Sequence, residues 1–461
     1  MQHRDDTIAA IATPVGTGGI GIIKLTGPDA LSIASRLFQS SSFSASSPET
    51  HRLYYGTIID PDDRCRLDDV LLSYMKSPSS YTGDDVVEIN CHSGLVILRK
   101  ILDLVIRGGA RLAEPGEFTK RAFLNGRIDL TQAEAVIDVI DAKTENYLKL
   151  ASRHLRGDLA QKTKAFRETL LEISAHIEVS IDFPEDEIDA VDTGSLARKT
   201  AGLSDMVKQL LSTFDQGNLY RMGIQAVIVG KPNVGKSSLL NALLGDTRAI
   251  VTSIPGTTRD TIQETITIEG VPVRLTDTAG LRSSQNEIEQ MGIDMTMSKL
   301  ADADLVLVVL DGSDELDPRD RTVSRYVKGK KAIAVINKSD LHQHLSADDL
   351  NGLFSSHSIV KTSALHGRGI DELKQAIYQT AIHNSHDISS DILLCNARHK
   401  SILERTQNSL QAVFDGLCNG LAPELISVDL QAALHALGEL SGETTADDVL
   451  DMIFSKFCIG K

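Results

Sequence analysis

The chain has 461 residues, too many for one ordinary core, and about two to four domains are expected. Its 41% hydrophobic and 24% charged content is typical of a globular protein, and no apolar run is long enough to span a bilayer. A net charge of -16, the absence of Trp and 4% aromatic residues argue against a uniformly basic nucleic-acid surface and against extended base-stacking platforms.

The N-terminus carries acidic residues where a signal peptide would be basic, so secretion is not expected. Five scattered cysteines with no C-x-x-C pair argue against a zinc site or a disulfide framework and favour the reducing cytoplasm. They are Cys65, Cys91, Cys395, Cys418 and Cys458.

Short apolar runs between turn signals predict a small α+β domain at residues 1–125. The serine-rich segment Ser40–Thr50 is typical of a surface loop. The predicted strands are Ile20–Leu25, Tyr54–Ile59, Val70–Tyr74 and Val86–Asn90. The predicted helices are Ala30–Phe38 and Leu95–Ile106.

Helical spacing of apolar residues begins near Asp129 and predicts helices over 129–180, with a break at Gly157, and over 195–221. The acidic segment Asp182–Asp192 is interpreted as a solvated loop. Residues 126–222 are therefore predicted to form the first half of a helical domain.

Strands and helices alternate over 223–382, which predicts a doubly wound, mostly parallel sheet. The helix Lys236–Leu244 follows the first strand. The predicted strands are Ile224–Val229, Thr265–Ile268, Val271–Asp277, Leu305–Asp311, Ala332–Asn337 and Ser358–Thr362.

The chain becomes helical again after about residue 390, through Leu394–Leu417, Val428–Leu440 and Ala446–Phe454. Residues 383–461 are therefore predicted to form the second half of the helical domain. On this interpretation the α/β domain is inserted between two halves of an all-α domain.

The sequence GKPNVGKS at residues 230–237 fits a P-loop, since it follows an apolar strand and opens a helix. Its glycines let backbone N–H groups surround phosphate oxygens, Lys236 reaches the β and γ phosphates, and the Ser237 hydroxyl binds Mg²⁺. The predicted nucleotide contacts of this loop are Asn233, Val234, Gly235, Lys236, Ser237 and Ser238.

Two further motifs stand at predicted strand ends, where open α/β sheets bind ligands. Asn337-Lys338-Ser339-Asp340 indicates guanine, because Asp340 can accept both guanine N–H donors, which adenine cannot supply. Ser363-Ala364-Leu365 would add a backbone donor to the guanine O6. Together these motifs favour GTP over ATP.

Asp277-Thr278-Ala279-Gly280 follows the strand before it, so a carboxylate can hold Mg²⁺ through water and Gly280 can approach the γ-phosphate. Between this motif and the P-loop, a segment rich in Gly, Pro and hydroxyl groups is typical of a mobile switch, with Thr258 closing onto Mg²⁺. Its predicted GTP contacts are Thr252, Ser253, Ile254, Pro255, Gly256, Thr257 and Thr258.

Leu281 stands where Ras-like proteins carry the Gln that orients the attacking water, and an aliphatic side chain cannot do this. Either hydrolysis is feeble or another group substitutes, and Glu289 is the nearest candidate. From spacing alone, a solvated helix carboxylate is the simpler interpretation of Glu289.

Together with the aliphatic Leu281, three segments carry a resemblance over essentially the whole chain. They are Gly116–Arg127 (GEFTKRAFLNGR), Gln132–Ala135 (QAEA) and the C-terminal Cys458–Lys461 (CIGK). The chain resembles the tRNA-modification GTPase family MnmE, also called TrmE.

The resemblance implies a homodimer formed through an N-terminal domain that is similar to tetrahydrofolate-binding domains. It also implies a 5-formyl- or methylene-tetrahydrofolate donor, and the flavoprotein MnmG (GidA) as partner. The implied product is an aminomethyl or carboxymethylaminomethyl group on C5 of a tRNA wobble uridine.

Potassium at the GTP site is implied to stimulate hydrolysis, and a cation beside the phosphates can offset developing negative charge. Carried over by position, its ligands are Asn233, Thr252, Ile254 and Thr257. The resemblance gives Glu289 a role in orienting the water through a second water, beside Lys236 and Thr258 as the other catalytic groups.

For the folate site the resemblance implies Lys24, Glu88, Arg127 and Lys461. Relatives often have Arg at the position of Lys24, and some have Lys at that of Arg127. Cys458 is either a reactive thiol that reaches the folate or a small apolar tail residue. A ribosome-assembly GTPase and a non-catalytic GTP-binding scaffold are the alternatives, although no KH-type G-x-x-G loop is visible outside the G domain.

Overall fold

The computed structural model describes residues 6–14, 16, 18–182, 192–245, 263–277, 300, 302–345, 350, 358–381 and 392–461. The chain divides into two compact units. One comprises Met1–Ile137, His154–Ala197 and Ala412–Lys461, and the other comprises Asp138–Arg153 and Arg198–Gln411.

The first unit contains a seven-stranded sheet with the order β3-β4-β5-β6-β2-β1-β7, antiparallel except for the β1–β7 pair. Its strands are β1 Ile8–Ile11, β2 Gly21–Thr26, β3 Phe38–Gln39, β4 Arg52–Ile59, β5 Arg66–Met75, β6 Val86–Cys91 and β7 Arg111–Leu112. Its first helices are α1 Ala30–Leu37, α2 Leu95–Arg107 and α3 Glu117–Leu124.

The apolar faces of α1 and α2 supply Ile33, Leu98 and Ile101 to the core beside this sheet. The four predicted strands and two predicted helices of this region are confirmed to within a few residues. Sequence patterns missed the two-residue strands β3 and β7 and the short β1, because so few residues carry no readable periodicity; the eight-residue α3 was missed as well.

The next helices are α4 Leu130–Asp141, α5 Glu145–Arg156, α6 Asp158–Asp182, α7 Thr193–Ser212 and α8 Phe214–Met222. The predicted break at Gly157 is confirmed, and that glycine has a φ of +93°. Further breaks lie between α4 and α5 and at Thr213, so each predicted helical stretch is divided once more than expected.

The second unit contains a six-stranded sheet with the order β13-β12-β11-β8-β10-β9. All its pairs are parallel except the β9–β10 hairpin, which confirms the mostly parallel sheet. Its strands are β8 Ile224–Val229, β9 Gln263–Ile268, β10 Val271–Asp277, β11 Leu305–Asp311, β12 Ala332–Asn337 and β13 Ser358–Lys361.

Strands β11 and β12 are buried along their whole length, as expected for a sheet covered on both faces. The helices of this sheet are α9 Lys236–Leu244, α10 Pro318–Tyr326 and α11 Ile370–Ala381. The remaining helices in the described part of the chain are α12 Ala397–Asn419, α13 Pro423–Ser441 and α14 Asp447–Phe454.

Several sequence predictions lie outside the described residues: the loop at 183–191, the switch at 252–260, Thr278–Gly280, Leu281 and Glu289. Of Asp277 only the backbone, at the end of β10, is described. Among the described helices, none combines the length and the apolar character needed to cross a membrane.

Candidate functional site

The P-loop joins the end of β8 to the start of α9, so its backbone stands at the carboxyl edge of the parallel strands. Three of its residues have positive φ: Gly230 at 152°, Asn233 at 65° and Gly235 at 94°. The Lys236 ammonium donates to the carbonyl oxygens of Gly230, at 2.9 Å, and Lys231, at 2.8 Å. The left-handed turns and the ammonium give the loop the shape and charge of an anion cradle.

Asn337 is the central connection of the site and is only 2% exposed. Its Nδ2 donates to the carbonyl oxygen of Val234 in the P-loop at 2.8 Å, and its Oδ1 accepts from the backbone N–H of Ala364 at 3.1 Å. One side chain therefore fixes the P-loop against the segment that follows β13. Both segments had been predicted to bind the nucleotide, and Asn337 brings them together.

Asp340 lies three residues beyond Asn337 and receives the Ser363 hydroxyl at 2.5 Å. This hydrogen bond lowers the pKa of Asp340, and it outweighs the raising effect of burial; a backbone N–H and the charges of His366 and Arg368 lower the pKa further. Asp340 is therefore an ionised acceptor at neutral pH. Leu365 is 80% exposed at the same edge.

Sequence patterns did not indicate the ion pairs that two lysines form at this edge. The Lys338 ammonium lies 2.5 Å from Asp311 Oδ2, at the end of β11. Lys231, whose side chain is 10% exposed, lies 3.5 Å from Asp320 Oδ2, on the first turn of α10. The pairing of strands and loops that are distant in sequence creates both contacts, so no local motif could have indicated them.

In the N-terminal sheet, Lys24 is 9% exposed and directly opposite Glu88 in the β2–β6 register. Its ammonium lies 4.5 Å from the ring centroid of Tyr81 and 5.1 Å from that of Phe118. Burial lowers the pKa of Lys24; the charge of Glu88 opposes this, and that of Lys461 adds to it. The structure thus brings Lys24, Glu88 and Lys461 into one electrostatic neighbourhood, framed by two aromatic rings that the predicted folate-binding residues did not include.

The C-terminal segment packs on the start of this sheet. A Cβ on Gly460, whose φ is +94°, would lie 2.8 Å from the carbonyl oxygen of Ile11, so the tail approaches β1 closely. Cys458 is exposed. Arg127 is exposed, and its side chain lies beside Gly83. Gly83 belongs to the same loop as Tyr81.

Two family models match this chain. The one described as GTP-binding protein TrmE N-terminus matches residues 7–127, and the one described as MnmE helical domain matches residues 130–458.

The chain belongs to the MnmE family.

Curated MnmE-family relatives match along the whole length. Proteins named tRNA modification GTPase MnmE are 47% identical in Geobacter sulfurreducens, with 100% of both chains covered, and 48% identical in Syntrophus aciditrophicus, with 99% of both covered. Among solved structures, the G domain of the T. maritima FeoB iron transporter is 27% identical, covering 34% of this chain and 99% of its own, with a TM-score of 0.27.

The MnmE-family assignment confirms the predicted class of fold: an N-terminal α+β domain, then a helical domain that encloses an α/β P-loop domain in the sequence. The described part of the predicted GTP site comprises the P-loop, the 337–340 segment and the 363–365 segment. Thr258 as Mg²⁺ ligand, Thr252, Ile254 and Thr257 as K⁺ ligands, and Glu289 as catalytic group lie outside the described residues and stay predictions.

Proposed function

We propose that this chain is a GTP hydrolase whose catalytic cycle serves the modification of tRNA. Its full-length relatives carry the name tRNA modification GTPase MnmE. In finer detail, the proposed reaction places an aminomethyl or carboxymethylaminomethyl group on C5 of the wobble uridine. A tetrahydrofolate supplies the one-carbon unit, the flavoprotein MnmG is the partner, and the working form is a homodimer.

The observation that carries the GTP assignment is the Asn337 bridge with Asp340 beside it. Asn337 ties the phosphate-binding loop to the Ala364 backbone, which sets one fixed spacing between the phosphate and base ends of the site. The ionised Asp340 accepts the two N–H donors of guanine, whereas adenine presents an acceptor at the same position. This difference favours GTP, because adenine would place an acceptor against the ionised carboxylate in place of a donor.

At the phosphate end, the Lys236 ammonium exchanges its loop carbonyl partners for the β and γ phosphate oxygens. The Ser237 hydroxyl, exposed in the first turn of α9, suits Mg²⁺, which prefers hard oxygen ligands. Bound there, Mg²⁺ neutralises charge on the phosphates. Asn233, exposed within the same loop, is the described member of the proposed K⁺ ligand set.

At the N-terminal site, the Lys24 ammonium suits a carboxylate and the half-buried ring of Tyr81 suits a planar ring, whereas the fully buried Phe118 contacts the ammonium from inside the protein. A pterin with a glutamate tail has both features. Lys461 adds a second cation within electrostatic range of Lys24. These residues therefore bind and orient the proposed tetrahydrofolate.

The base assignment is tested with Asp340→Asn. An amide in place of the carboxylate can pair with the 2-oxo group of xanthine but opposes the guanine N–H donors, so preference should move from GTP to xanthosine triphosphate. Asp371→Asn is the matched control, because Asp371 is a 95% exposed carboxylate on α11 that pairs with Lys374. Unchanged use of GTP by Asp340→Asn contradicts the assignment.

The tRNA assignment is tested by mass spectrometry of wobble-uridine nucleosides from cells that lack the protein. Loss of the C5 modification, restored by the wild-type chain, is the expected result. Unaltered nucleosides with defective ribosomal subunits indicate a ribosome-assembly GTPase instead. Full restoration by a variant that binds but does not hydrolyse GTP indicates a non-catalytic scaffold.

A further inference from the structure

Asp311 is a buried carboxylate next to the proposed base site, and none of the nucleotide motifs includes it. It is 5% exposed, ends β11, and stands directly opposite Asn337 in the β11–β12 register. Its two oxygens have separate partners: Oδ1 accepts from the backbone N–H of Ser313 at 3.0 Å and from its hydroxyl at 2.7 Å, and Oδ2 lies 2.5 Å from the Lys338 ammonium. Ser313 thus fixes the Asp311 carboxylate, which in turn holds the Lys338 ammonium.

The backbone that carries Lys338 is constrained as well. Lys338 has a φ of +62°, which side-chain-bearing residues adopt only when their surroundings enforce it. Its carbonyl oxygen accepts from the backbone N–H of Leu341 at 3.0 Å and from Gln343 Nε2 at 2.9 Å. A strained residue held at both its backbone and its ammonium has little freedom to reorient.

The loops after β11 and β12 are also joined directly. Gly312 donates its N–H to the carbonyl oxygen of Asn337 at 2.9 Å, and its own carbonyl oxygen accepts from His344 at 2.8 Å. A Cβ on Gly312 would meet the Gln343 side chain and the backbone of Asn337 at 3.0 Å or less. The close approach keeps Asp311 and Lys338 within reach of each other.

We propose that Asp311 is a positioning residue for guanine recognition: it holds the Lys338 ammonium at the end of β11, so that Asp340 keeps its acceptor oxygens for the guanine N–H groups. The inference rests on the proposed GTP function and deepens it. Nothing in the motif Asn337–Asp340 itself provides this restraint.

The Lys338 ammonium needs this restraint because Lys338 is close in sequence to Asp340, the carboxylate that recognises guanine. Lys338 precedes Asp340 by two residues, so a Lys338 ammonium without a partner would be drawn to Asp340 and would compete with guanine. Burial by itself raises the pKa of Asp311, but the hydrogen bonds from Lys338 and Ser313 lower it further than burial raises it. Asp311 is therefore charged at neutral pH and remains a permanent partner for the lysine.

The test is calorimetric titration of the full chain with a non-hydrolysable GTP analogue and with its inosine counterpart, which lacks the exocyclic amine. Asp311→Asn should weaken GTP-analogue binding about tenfold, the scale of one hydrogen bond to a charged group, and should weaken inosine-analogue binding less. Asp371→Asn is the control for removing a carboxylate from the same domain. Equal weakening of both analogues, or none, overturns the proposal.

A double-mutant cycle separates positioning from general structure. In a Lys338→Met background there is no ammonium to restrain, so adding Asp311→Asn should not reduce the preference for the guanosine analogue further. If Asp311→Asn has the same effect in both backgrounds, Asp311 acts on its own and the proposal is wrong. If the Asp311→Asn variant does not fold, the double variant, which removes both charges of the pair, is compared with the wild type: a retained preference for the guanosine analogue is expected, and a lost preference overturns the proposal.

Different results refute the proposed function and the role of Asp311. A wild-type chain that binds the adenosine analogue as tightly as the guanosine analogue refutes the proposed function. A wild-type chain that prefers guanosine, with an Asp311→Asn variant that prefers it equally, refutes only the role of Asp311.

Discussion

Replacing Gly235 by Ala should damage the nucleotide site through two separate costs. Gly235 has a φ of +94°, a conformation that costs an L-residue with a Cβ about 1–2 kcal/mol. The added Cβ would also lie well under 3.0 Å from Asn337 Nδ2. Asn337 must therefore move, and its 2.8 Å hydrogen bond to Val234 is lost.

Leaving those buried polar groups unpaired costs about 1–3 kcal/mol, so the two effects together amount to about 2–5 kcal/mol. If the P-loop relaxes to avoid the clash, the nucleotide must restore its shape on binding. The lower bound of 2 kcal/mol then corresponds to a loss of GTP affinity of about thirtyfold.

The cost lowers either the affinity for GTP, which titration calorimetry measures, or the stability of the nucleotide-free chain, which thermal unfolding measures. The matched control is Gly202→Ala, because Gly202 is exposed within α7 and a Cβ there meets nothing within 4 Å. That variant should gain about 0.5–1 kcal/mol of stability and bind GTP normally. A Gly235→Ala chain with wild-type affinity and an unchanged Tm would refute the reasoning.

Three other outcomes are expected. Turnover of GTP should be much slower in Na⁺ than in K⁺ at equal ionic strength, and equal rates would remove the proposed K⁺ role. Glu289→Ala should lower kcat with little change in GTP affinity in a fluorescent-nucleotide titration, and lost binding would assign Glu289 to structure. Hydrogen bonds from Arg111, the Glu114 backbone and Arg121 outweigh burial and lower the pKa of Glu117 from its ordinary value of 4.5. Its stabilisation is present above that value and is lost as the pH falls below it, so the Tm of Glu117→Gln should fall less with acidification than that of the wild type; parallel curves would contradict this.

Much of the fold could be predicted because strong local patterns coincide with whole elements. The buried strands β11 and β12 are continuous apolar runs, and the P-loop sequence stands between a strand and a helix, so their positions were confirmed almost to the residue. The two-residue strands β3 and β7 exist only through their partners, and the sequence could not indicate them.

For the candidate site, the sequence by itself determined which chemical groups are available: a P-loop, a carboxylate that we propose binds guanine, and cations in the N-terminal domain. Only the tertiary structure decided which of these groups meet. Asn337 joins the P-loop to Ala364, Asp311 pairs with Lys338, and two aromatic rings frame Lys24, all through contacts between residues far apart in the chain. Local patterns encode local backbone preferences, whereas such contacts depend on strand order and register, which the folding of the whole domain sets.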